Sequence, residues 1–187
     1  MKSVRSIMPF VFAGIIAISC GKKESTDTNE IAKESNDEKF DDRKEEKDAD
    51  FIAETVAANY AEINLAKLAA EKSDNSQIKE TAQMLEKDHS KLLQDLQTFA
   101  SLKAISVPNE EKEEAKKKIE DLTKEDDIKD FNKEWCKTMV DKHEQTIKNF
   151  ESRLDKTQDA DLKILIDQTL PQLRAHLDKV KACEQSM

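Results

Sequence analysis

Glycine is almost missing from this chain. Of 187 residues only Gly14 and Gly21 are glycine, and both precede the region where a helical pattern begins. That region therefore has no glycine-rich phosphate loop, dinucleotide-binding fingerprint or nucleophile elbow, each of which needs glycine where backbone turns tightly or meets a ligand. The alternation of apolar and polar residues that marks a half-buried strand is absent too. Positive charge is in deficit, with 31 Lys and Arg against 40 Asp and Glu, a formal charge of −9 and no basic stripe. This argues against nucleic acid as a partner and against electrostatic docking on anionic lipid. The apolar run "IMPFVFAGIIAI" has twelve residues, too few for a bilayer span, which needs ~20.

What surrounds that run gives it another meaning. Lys2 and Arg5 precede it and "AISC" follows, the layout of a secretion signal over residues 1–19. The ending resembles a bacterial lipoprotein signal, with Ala17 where Leu, Val or Ile is usual. Cys20 would then become the N-terminus and carry lipid. This places the protein in the bacterial cell envelope, periplasmic or outer-membrane associated, with the membrane as partner through its lipid alone. Residues 20–49 are almost all charged or polar, with Phe40 as their one aromatic. They bury too little apolar surface to offset chain entropy, so a disordered tether is expected.

The domain expected over residues 50–187 reads as all-α. Apolar residues recur at three and four over 51–73 (Phe51, Ala58, Leu65, Ala69) and over 76–102 (Ile78, Ala82, Leu85, Leu92, Leu96, Phe99). Between them "SDNS" offers turn and cap residues. A third helix is expected over 127–155 (Phe131, Trp135, Met139, Ile147, Phe150), and "KTQDAD" leads into a fourth over 159–183. A short helix within 103–126 starts near Pro108, with Glu110 and Glu111 suited to its positive end. Pro171 should interrupt the fourth helix and free a carbonyl near Asp167. The expected architecture is an antiparallel four-helix bundle with this short extra helix between helices 2 and 3.

Three histidines stand out because each falls on an apolar stripe. His89 lines up with Ala82, Leu85, Leu92, Leu93 and Leu96, and His143 with Cys136, Met139, Val140, Ile147 and Phe150. His176 has Leu173, Val180 and Cys183 on its side, and on the first helix Glu62 sits among Ala58, Leu65, Ala66 and Ala69. Each long helix thus turns one ligand-type side chain inward. The midpoint between Glu62 and His89 falls in "SDNS", and that between His143 and His176 in "KTQDAD". Each pair is then level within its hairpin, and if both turns share one end of an up-down-up-down bundle the pairs differ in height by ~4.5 Å. Cys136 and Cys183 share the second midpoint, so they should face one another as a candidate disulfide in an oxidising compartment.

The segments "FIAETVAANYAEINLAKLA", "AQMLEKDHSKLLQDL", "FNKEWCKTMVDKHEQTIKNFE" and "LKILIDQTLPQLRAHL" resemble, in that order, motifs of the bacterial ferritin-like domain-of-unknown-function 4142 family. The resemblance implies a ferritin-like bundle in the cell envelope, with no assigned activity and so no catalytic role to carry over. Di-iron sites of ferritin-like proteins take one Glu from each of two helices and Glu-x-x-His from the other two. Here Glu86 and His89 have that spacing, but Leu173 stands where the second such Glu belongs, and the third helix offers His143 where a Glu is needed. The set for a di-iron centre is incomplete. Glu62, His89, His143 and His176 instead suit a single zinc, copper or iron ion, with Glu86 as an outer or additional ligand. The alternative is a structural polar network in a noncatalytic interaction or stress-response protein. Cys136 and His143 lie two turns apart on one face, ~10.5 Å along the axis, so no nucleophile–base pair is recognisable.

Overall fold

The computed structural model describes residues 27–185; the leader over residues 1–19 and the lipidation residue Cys20 lie outside the described residues. The described secondary structure is all helical: α1 (Thr28–Lys39), α2 (Arg43–Lys72), α3 (Ser76–Leu102), α4 (Glu113–Lys124), α5 (Ile128–Lys156) and α6 (Ala160–Gln185). Side chains of Asp27, Asp42, Asn75 and Asp127 accept hydrogen bonds from first-turn amides of α1, α2, α3 and α5. Without these acceptors the leading N–H groups would lack partners. No helix among the described residues is long and apolar enough to cross a membrane.

Three expectations are corrected. Ordered structure begins earlier than residue 50, because α1 and the start of α2 occupy much of the stretch expected to be a tether. Composition suggested disorder, but α1 needs only a narrow inner face. Ala32 and Asn36 are buried there, and the Asn36 amide donates to Ser106 O (2.9 Å) and accepts from Ser106 N (2.7 Å). The short helix starts at Glu113 rather than near Pro108. Glu110 and Glu111 serve elsewhere, on Lys116 (2.8 Å) and on the Asn64 amide (3.1 Å). Pro171 does not interrupt the fourth helix: α6 runs through it, and Pro171 and Asp167 are both exposed, so the missing hydrogen bond lies on the outer side.

The long helices pair α2 with α3 and α5 with α6, and the pairs join through α2–α5 and α3–α6 contacts. Hydrogen bonds show which ends meet. At the α2–α3 turn, Ser73 Oγ donates to Asn132 Oδ1 (2.7 Å) near the start of α5. At the α5–α6 turn, Thr157 Oγ1 donates to Asp48 Oδ2 (2.8 Å) near the start of α2, and Lys103, just past α3, reaches Asp159 and Asp161 (both 2.7 Å). The two turns therefore sit at opposite ends, not at one end as expected, and the 103–127 connection carries α4 along the outside of α2 and α5. The polar residues stay level because His89 and His143 lie at the middle of α3 and α5, about equally far from either end, and Glu62 and His176 sit level with them across their own turns. The buried apolar residues form two clusters, one around Leu65, Phe131 and Trp135 and one around Ile52, Phe150 and Ile166. Between them lies the polar layer.

Candidate metal centre

Each long helix contributes one side chain to this layer. Glu62 (α2), His89 (α3), His143 (α5) and His176 (α6) are all at most 3 % exposed. His89 Nε2 lies 3.1 Å from Glu62 Oε2 and 3.4 Å from His143 Nε2, and His143 Nε2 lies 3.5 Å from the same carboxylate oxygen. The third ring is close, with centroids 5.1 Å from His89 and 5.6 Å from His143. One ligating nitrogen from each imidazole can be chosen so that all lie within 4.8 Å of one another.

The outer nitrogens fix which inner atoms carry lone pairs. His89 Nδ1 meets Asn59 Oδ1 at 2.9 Å; the Asn59 amide nitrogen is already donating to Thr55 O, so the Asn59 oxygen accepts and His89 Nδ1 bears the proton. His143 Nδ1 donates to the Met139 carbonyl at 2.8 Å. His176 Nε2 donates to Asp88 Oδ2 at 3.1 Å. With outer positions protonated, neutral imidazoles turn the lone pairs of His89 Nε2, His143 Nε2 and His176 Nδ1 inward. His176 Nδ1 and Glu62 Oε2 are buried without a hydrogen-bond partner. Four acceptors converge with no donor among them, which is costly unless a cation or a shared proton joins them.

Charge points the same way. Burial alone would raise the Glu62 carboxyl, but its electrostatic interactions with His89 and His143, with Lys142 behind, outweigh it and leave the group below its ordinary range. Burial pulls His89 down to about 4, with Glu62 opposing and His143 adding. Burial also lowers His176, against the pull of Asp88. At neutral pH the centre is thus one carboxylate facing uncharged imidazole at His89 and His176.

A family model described as "Domain of unknown function (DUF4142)" matches residues 33–183. The chain belongs to this family. The matched span runs from α1 to Cys183 and takes in all four residues of the polar layer. No curated protein and no solved structure matches the chain.

In this DUF4142 chain one expected site residue is placed differently. Glu86 is half-buried and stays outside the centre; the α3 carboxylate beside it belongs to Asp88. On a helix, Asp88 and Glu86 flank His89 on opposite sides, about 100° one way and 60° the other, and His176 packs on the Asp88 side. Cys136 and Cys183 do meet, as buried thiols in contact with one another. The thiol–thiol contact pushes Cys136 up and, with Thr81 Oγ1 at 3.2 Å, holds Cys183 down. Asn59, Asp88 and the Met139 carbonyl were missed from sequence. Asn59 alone carried a signal, one turn before Glu62 on the same face.

Proposed function

We propose that this protein is an envelope-anchored, ferritin-like four-helix bundle that holds one transition metal ion, zinc, copper or iron, between Glu62, His89, His143 and His176. The observation that carries this reading is the inward set of lone pairs. Each imidazole spends its N–H outward on an acceptor, which is how metal-bound histidines are oriented. A tetrahedral ion with bonds of ~2.0–2.1 Å sets its ligands about 3.3 Å apart. The three contacts among His89 Nε2, His143 Nε2 and Glu62 Oε2 run from 3.1 to 3.5 Å. Bound there, the ion would replace four facing acceptors with four ligand bonds. The mixed nitrogen and oxygen set suits borderline ions rather than calcium or magnesium.

Anchoring belongs to the same proposal: lipid on Cys20 would tie the bundle to the membrane. Only residues 21–27 separate that cysteine from α1, so the domain would ride close to the bilayer rather than on a long tether. Extraction of full-length protein and its Cys20→Ser variant from membranes tests this, with loss of membrane association expected for the variant. The metal reading is tested by metal analysis of protein purified without a histidine tag. About one ion per chain is expected, with a melting temperature lowered by chelator because the ion binds only the folded state. His89→Ala and His143→Ala should each lower both. Absence of a stoichiometric ion, with chelator leaving the melting temperature unchanged, would make the layer a structural network stabilised by a shared proton.

A further inference from the structure

Exposure does not separate the four groups of the centre, with Glu62, His89, His143 and His176 exposed by 2, 1, 0 and 3 %. Glu62 is set apart because its residue also lines a cleft of about 190 Å³ between α2, α5 and the start of α4. On the α2 side the cleft is walled by Ala57, Ala58 and Ala61, which end at Cβ; on the α5 side stand Lys142 and Thr146. Resting on the metal reading, we propose that this cleft is the port through which the ion reaches and leaves the centre, with Glu62 as its first and last ligand.

The argument is one of access and chemistry. Glu62 Oε2 sits within 3.5 Å of two inward imidazole nitrogens, while its residue borders the open cleft, so one carboxylate serves both sides. A cation coming down the cleft meets that carboxylate before it meets a nitrogen. Carboxylates bind through either or both oxygens, so Glu62 can take a partly hydrated ion and keep hold of it as the imidazoles displace its waters. Lys142 lines the same cleft and its ammonium stabilises Glu62 as a carboxylate, a counter-charge that serves while no ion is bound. Lys112 at the mouth is paired with Glu54 at 3.5 Å, which reduces its opposition to an incoming cation. The layout fits a cargo or storage ion that must come and go.

The test fills the cleft from either wall, with Ala58→Phe on α2 and Thr146→Leu on α5. Ala175→Leu, on the exposed face of α6, is the control. Zinc uptake by the metal-free full-length protein is followed with a zinc-sensitive dye, and extraction is followed with excess EDTA. Both cleft variants should load and release zinc at least about tenfold more slowly than parent and control, since the ion must then wait for local opening of the bundle. Their final stoichiometry should equal the parent's. Parent-like rates in both filled variants would overturn the port while leaving the metal reading intact. Loss of stoichiometry in both, with the fold retained by circular dichroism, would also overturn it, because the cleft residues would then shape the centre rather than give access to it. If the parent itself takes up no zinc, copper or iron, the metal reading fails and the port with it.

Discussion

Asp88 touches no inward-facing atom, yet the geometry makes it a determinant of the centre. Its carboxylate accepts from His176 Nε2 and so turns Nδ1 toward the other ligands. Removing such an outer partner typically costs ~10–100-fold in metal affinity. Asp88→Ala should therefore weaken zinc binding by that order in a competition titration, and Asp88→Asn, which keeps an acceptor, should recover part of the loss. A purely structural Asp88 would lower the melting temperature without moving the affinity. The same residues set a pH dependence. In metal-free protein, folded His89 titrates at about 4 against 6.5 for the ordinary group, and His176 is lowered as well. The unfolded chain then binds protons that the folded chain refuses, so stability is full above about pH 6.5 and falls as pH drops toward 4. The His89 contribution is on the order of 3 kcal/mol. Urea midpoints of chelator-treated protein at pH 7.5, 6 and 5 should fall in that order, and a flat series would contradict the buried, neutral imidazole.

At the scale of elements, the scarcity of glycine has a local consequence. Helix α3 ends in a Schellman turn, with Ile105 N donating to Ala100 O (2.9 Å) and Ala104 N to Ser101 O (3.3 Å). The turn needs a left-handed residue, a place where glycine is usual, and Ala104 fills it at φ 55°. A Cβ in that region costs roughly 1–2 kcal/mol, of which glycine returns some through unfolded-chain entropy. Ala104→Gly should raise stability by about 0.5–1 kcal/mol in chemical denaturation, with metal content unchanged. Across the turn, Ser106 holds α1 through the Asn36 amide, so the stop of α3 and the seat of α1 are one structure. An α1 rich in charge stays ordered because its inner face is matched by these backbone partners.

On the scale of the whole molecule, the opposite placement of the two turns sets what lies near what. Cys136, early in α5, and Cys183, in the last turn of α6, come together beside Thr81 near the α2–α3 turn. Exposure to oxidised glutathione should consume both thiols by exchange, forming one protein disulfide and releasing two glutathione thiols. The closed loop would stabilise by up to about 4 kcal/mol on the chain-entropy model, less any strain. Thiol counting on denatured, unreduced domain lacking Cys20 reads the result, together with a reductant-sensitive rise in melting temperature. Two thiols remaining after prolonged exposure would show that the packing around α6 never opens enough for exchange.

Periodicity alone located the long helices and the four inward polar residues, because an apolar stripe at three and four declares both the helix and its buried face. A charged or imidazole group on that stripe is conspicuous whatever the tertiary arrangement. The level of the centre was legible too: His89 and His143 sit at mid-helix and Glu62 and His176 are level with them across their turns, so reversing one hairpin leaves the four together. What the sequence could not decide is everything that depends on which helix lies beside which. Helical spacing cannot tell Asp88 from Glu86 as the partner of His176, since the choice turns on the side of His89 from which α6 approaches. It also cannot tell that residues 28–49 are ordered, because the partners that hold Asn36 and Asp48 lie at Ser106 and Thr157, far along the chain. Local composition records what a segment can bury by itself, and the tertiary structure supplies the hydrogen bonds that make a polar segment fold.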